Sequence, residues 1–140
     1  MAVYVAWSDG YSVCDRLLDA QHREILQTVD RLYLPMQGAT PGPAAERILD
    51  SLICSTRSHF EHEEARQKEI AFVDAERHQA LHQAMLQRML DLRAQLMSLP
   101  ACDVLEFLKK WWLSHIQDED RQYVMYLERV RVWDSNLLRC

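Results

Sequence analysis

The chain has 140 residues, 49% apolar and 26% charged, with a net charge of −5. That is the length of one domain with one buried core and the composition of a soluble globular protein. An acidic balance without a Lys/Arg cluster excludes a nucleic-acid footprint, and no apolar run is long enough for a transmembrane helix.

The opening stretch, MAVYVAWSDGYS, has neither the basic start nor the apolar centre of a signal peptide, so a cytoplasmic location is expected. Breaks at QGATPGP (37–43), Phe72–Asp74 and Ser98–Pro100 then cut the chain into an N-terminal arm, about 1–17, and four helices. The helices are expected at about 18–36, 44–68, 75–97 and 102–131. The first carries Leu18, His22, Ile25, Val29, Leu32 and Met36 in alternating steps of four and three. The second is looser, with Ile48, Leu52, Ser55, His59 and Glu63. The third runs His78, His82, Met85, Met89, Leu92 and Leu96, and the fourth begins Val104, Leu108, Trp111 and His115. No segment alternates with period two. One buried stripe per helix and short connections predict an all-α fold. It is a single domain over 1–140, an up-down-up-down antiparallel four-helix bundle with an N-terminal arm. The four cysteines (Cys14, Cys54, Cys102, Cys140) form no CxxC pair and no zinc or disulfide framework. Reduced thiols are expected, with Cys54 and Cys102 packed as small hydrophobes.

Histidines stand on these stripes where leucine would be expected, and a buried imidazole is costly unless something coordinates it or bonds it. In an antiparallel bundle His22, His59, Glu63, His78 and His82 fall at one end. His59 with Glu63, and His78 with His82, are i,i+4 pairs on one helix face. His115 and Asp120 are five apart, so on an ideal helix Asp120 must reach sideways, as a bridging carboxylate can. Seven ligands of this kind imply two metal ions. Imidazole and carboxylate without thiolate suit iron, and also zinc, copper or manganese. Suppose His78, His82 and His115 bind one ion, His22 and His59 the other, and Glu63 and Asp120 bridge them. The first then has five protein ligands and the second four. One solvent-derived oxo or hydroxo bridge leaves a single open position, on the two-histidine ion. That suits reversible binding of a small molecule. His62, three residues from His59, reads as a surface or rim residue, and Met85 and Met89 as core packing.

At these residues the chain resembles the hemerythrins, specifically the short single-domain bacteriohemerythrins. The matching motifs are Asp19-Ala20-Gln21-His22, His59-Phe60-Glu61-His62-Glu63-Glu64, His78-x-x-x-His82, and Trp111-Trp112-Leu113-Ser114-His115-Ile116 followed by Asp120 and Tyr123. The resemblance implies a non-haem di-iron centre with an oxo or hydroxo bridge, binding O2 reversibly at a five-coordinate iron. It also implies an O2 pocket at Trp112 and Ile116. The role would be oxygen storage, delivery or sensing. The alternatives are a di-iron enzyme acting on peroxide or nitric oxide, or a redox or oxygen sensor read by a separate protein partner.

Two departures from the relatives lie near the site. Gln67 stands where they usually carry methionine, and Trp112 where they usually carry the leucine that lids the O2 pocket. Trp112 has three readings: a ring that narrows the pocket, an N–H donor to a bound ligand, or a side chain turned outward against a neighbouring helix while Trp111 faces the irons.

Overall fold

The computed structural model describes residues 3–38 and 40–132; the expected domain also takes in residues 133–140, and Cys140 with them, which lie outside the described residues. Among the described residues every regular element is helical. Helix α1 (Arg16–Leu32) starts where Asp15 accepts hydrogen bonds from the N–H groups of Leu17 and Leu18, so the arm is two residues shorter than the stripe suggests. Pro35 cannot donate to the helix ladder, and the chain passes into a 3-10 turn, Leu34–Met36, instead of continuing α1 to residue 36. Helix α2 (Pro43–Glu69) opens with proline in its first turn, where the missing N–H costs nothing. Ala71, at φ 51°, turns the chain into α3 (Ala75–Ala94). Helix α4 (Ala101–Ser114), a π-helical turn over His115–Asp120, and α5 (Arg121–Val132) form one unbroken rod.

These four rods make an up-down-up-down antiparallel bundle, with α1 packed on α2 and α4, and α2 on α3. The buried face of α2 runs through Leu49, Leu52, Ile53, Thr56, His59, Phe60, Glu63 and Gln67, with Ile48 and Ser55 only half-buried, one step round from the expected stripe.

The core is split in two. The larger part holds Leu26, Val29, Leu49, Leu52, Met85, Met89, Leu108, Trp112 and Ile116 among others. The smaller holds Val13, Leu18, Phe72, Tyr123 and Leu127. The histidines and carboxylates fall where the two parts meet: His22 lies between Leu18 and Ile25, and Asp120 between Ile116 and Tyr123. The length of α5 beyond Asp120 thus supplies the second apolar cap over a polar layer. The arm closes the structure. Tyr4 and Val5 donate their N–H groups to Asp30, and the Lys109 ammonium donates to the Tyr4 carbonyl at 2.8 Å.

Two cysteine expectations fail. Cys54 and Cys102 are free but exposed, standing on outward positions of α2 and α4. Cys14 is disulfide-bonded, which no spacing in the sequence announces.

Candidate metal centre

All seven predicted side chains meet in the polar layer, and all are buried. They form two groups sharing a carboxylate: Glu63 with His78, His82 and His115, and Glu63 with His22, His59 and Asp120. Within each group the ligand atoms lie within 4.8 Å of one another. Each of the five imidazoles turns its Nε2 inward. Glu63 directs Oε1 at His78, His82 (3.2 Å) and His115 (3.8 Å), and Oε2 at His59 (3.2 Å) and His22 (3.7 Å). Asp120 directs Oδ1 at His78 and His115, both 3.2 Å, and Oδ2 at His22, 3.1 Å. Each carboxylate therefore offers one oxygen to each histidine group.

The π-helical turn explains how Asp120 arrives. Five residues carry a side chain well round an α-helix, but i→i+5 bonding adds a residue to the turn and returns position i+5 towards the face of position i. The backbone, and not a sideways side-chain reach, aligns Asp120 with His115. That corrects the expectation from ideal helix geometry.

Electrostatics bind the layer together in the metal-free chain. Burial opposes ionisation of Glu63, yet the imidazoles of His115, His22, His59 and His78 around it hold its carboxyl well below the usual range. Burial and the charge of Glu63 oppose Asp120, but His115, His22 and His78 lower its pKa also. Burial disfavours charge on His22 and His78, but both carboxylates outweigh it and raise them to about 9 and about 10. His59, where burial dominates, is lowered.

The donors fit a pair of metal ions. Among the described residues, His22 Nε2, His59 Nε2, Glu63 Oε2 and both Asp120 oxygens are buried without a hydrogen-bond partner. Such atoms are rare in a settled core and are what a cation would satisfy. Five imidazoles and two carboxylates, with no thiolate, suit a first-row metal of intermediate softness.

Aromatic rings wall the layer. Phe60 stacks on His82 at 3.7 Å and lies 5.6 Å from Trp112. Trp111 stacks on His115 at 4.5 Å. Trp112 is fully buried, 6.0 Å from the His59 ring and 6.1 Å from that of His115. The outward reading of Trp112 is thus overturned: its hydrophobic ring belongs to the core, and half-buried Trp111 takes the outer side. Its Nε1 has no partner among the described residues. Ile116 is buried in the same cluster. Gln67 is also fully buried, with neither amide atom partnered among the described residues.

The contacts of three neighbours with the ligands escaped the sequence reading. Gln21 Oε1 lies 2.8 Å from His59 Nδ1, and Gln21 Nε2 lies 2.8 Å from His62 Nδ1. Glu64 stands 3.4 Å from His82 Nδ1. The only signal was adjacency: Gln21 precedes His22, while His62 and Glu64 flank Glu63.

Residues 15–127 match the family model described as Hemerythrin HHE cation binding domain. The chain is similar to a bacteriohemerythrin of Pseudomonas aeruginosa, 26% identical over 125 residues that span 86% of this chain and 80% of that protein. A bacteriohemerythrin of Stenotrophomonas maltophilia is 26% identical over 88% of this chain and 80% of its own length. A myohemerythrin of Sipunculus nudus is 27% identical over 84% and 88%.

Proposed function

The chain belongs to the hemerythrin family, and from that premise we propose that it holds two iron ions and binds O2 reversibly at one of them. The observation that carries this reading is the division of both carboxylates, one oxygen to each histidine group. His78, His82 and His115 would hold one ion, His22 and His59 the other, and Glu63 and Asp120 both. Two irons held by these residues would supply the electrons that reversible O2 binding needs, an oxo or hydroxo bridge being the solvent-derived ligand the proposal adds.

The chain does the rest. Three imidazoles and two carboxylate oxygens crowd one side, so a small molecule is directed to the two-histidine side. Trp112, 6.0 Å from the His59 ring and 6.1 Å from that of His115, and Ile116 would form the apolar wall of the ligand pocket, and the two core clusters would keep water from the polar layer. Storage, delivery or sensing of oxygen is the role this favours.

Anaerobic reconstitution with ferrous iron, followed by exposure to air, tests the reading. Two irons per chain and visible charge-transfer bands that disappear on removing O2 are expected. One metal per chain, or bands that never reverse, would overturn it.

A further inference from the structure

His62 was expected at the rim of the bundle, and its ring is indeed exposed. Its Nδ1 is nevertheless tied, through one amide, to a buried candidate ligand. The connection runs His62 Nδ1 to Gln21 Nε2 at 2.8 Å, then Gln21 Oε1 to His59 Nδ1 at 2.8 Å. It crosses from α2 to α1 and back, and Gln21 is half-buried.

The chemistry of an amide gives the relay a direction. Its oxygen only accepts and its nitrogen only donates. His59 must therefore carry its hydrogen on Nδ1, and His62 must present a bare Nδ1. The opposite arrangement is open to His59 otherwise, because its Nε2 sits 3.2 Å from Glu63 Oε2 and could carry a hydrogen towards it. A metal-binding imidazole needs that nitrogen bare, and the group on the other nitrogen decides whether it is.

We infer that Gln21 and His62 are positioning residues that hold His59 in the Nδ1–H tautomer, so the two-histidine half of the centre is ready before any metal arrives. The three-histidine half is supported differently. There the Glu64 carboxylate stands 3.4 Å from His82 Nδ1, without hydrogen-bond geometry. A neutral amide on His59 takes less hydrogen character from the ring than a carboxylate would. The two halves thus differ in what stands behind their ligands as well as in how many they have. The inference rests on the ligand assignment proposed above, but the tautomer of His59 in the metal-free chain does not.

The test uses the full chain with isotope-labelled histidine rings, metal-free and loaded with zinc. The ring-nitrogen resonances should place the His59 hydrogen on Nδ1 in both states. His62→Ala should move the metal-free His59 towards the Nε2–H form and weaken one of the two zinc ions about tenfold, the lower end of the loss typical for such supporting partners. The other zinc should be unaffected. His62→Asn, whose side-chain oxygen still accepts from Gln21, should restore both readouts. Gln21→Leu, which removes both links, should reproduce the effect of His62→Ala. The inference is overturned if neither variant moves the tautomer, if both zinc ions weaken equally, or if His62→Asn is no better than His62→Ala. Binding of a single zinc with the Nδ1–H form intact would instead sink the two-iron reading while upholding the relay.

Discussion

At the scale of single residues, the two histidine groups should be separable by substitution. His22→Ala or His59→Ala removes a ligand from the side with fewer, and O2 binding should disappear first, with much of the iron retained. His82→Ala should lower total iron instead, read by metal analysis beside the O2-dependent spectrum. Identical partial losses across all these variants would contradict the division. Trp112 carries a second prediction. Its ring fills space against Phe60, His59 and His115, so the narrowing reading outweighs the others. Trp112→Leu should speed O2 association about tenfold in stopped-flow experiments while leaving the iron content unchanged. Faster dissociation with unchanged association would point instead to its unpartnered N–H as a donor to the ligand. The convergence of the histidines was legible in the sequence because each replaces an apolar residue on a stripe. Gln21 and His62 were not, because their meaning is a distance between two helices and no periodicity records that.

At the scale of elements, the π-helical turn decides the register of the last rod. The five-residue interval between His115 and Asp120 was visible, but a one-residue widening of the backbone is written in no propensity; it follows from what the turn must align. Deleting Gln117 should convert the turn to ordinary α-helix. Asp120 would then stand four residues from His115 on an ordinary α-helical face, and because the residue removed is the one the wide turn adds, α5 keeps its rotation. Tyr123 and Leu127 stay in the small core cluster they share with Val13, Leu18 and Phe72. The expected outcome is a chain that keeps its fold and both metals, read by circular dichroism and metal analysis. A deletion variant that melts far lower or loses metal would show that the width of the turn is itself required. The helix ends were read to within a few residues, the misses arising at Pro35 and at the Asp15 cap, where local chemistry overrides the stripe.

Across the whole molecule, the fold was the most legible level, since four apolar stripes leave few arrangements other than a bundle. The two-part core predicts that removing metal leaves a helical protein. The larger cluster does not depend on the ligands, so circular dichroism of the metal-free chain should remain strongly helical while its melting temperature falls. Its stability should also depend on pH in a definite direction. His22 and His78 are raised from 6.5 to about 9 and about 10 in the fold, so the folded chain holds those protons more tightly than the unfolded one. The resulting stability is fully present below about pH 6.5 and is lost as pH rises through 9 to 10. Glu63 and Asp120, both lowered, act oppositely: their contribution holds at neutral pH and fades as acid protonates them. Urea midpoints of the metal-free chain should accordingly be higher at pH 7 than at pH 10. A midpoint that does not fall across that interval would mean the two imidazoles are neutral in the fold.

The stack of Trp111 on His115 makes the chain an optical gauge of its own contents. An indole 4.5 Å from an imidazole, with a second indole 6.1 Å from the same ring, places two emitters where a bound transition metal drains excited-state energy over very short distances. Trp7, on the arm, lies beneath the Arg23 guanidinium. Iron uptake should therefore dim the emission of Trp111 and Trp112, two of the chain's four tryptophans, and lower the total ultraviolet signal in step with loading. The filling of the centre can then be followed in dilute solution, without a label and without O2.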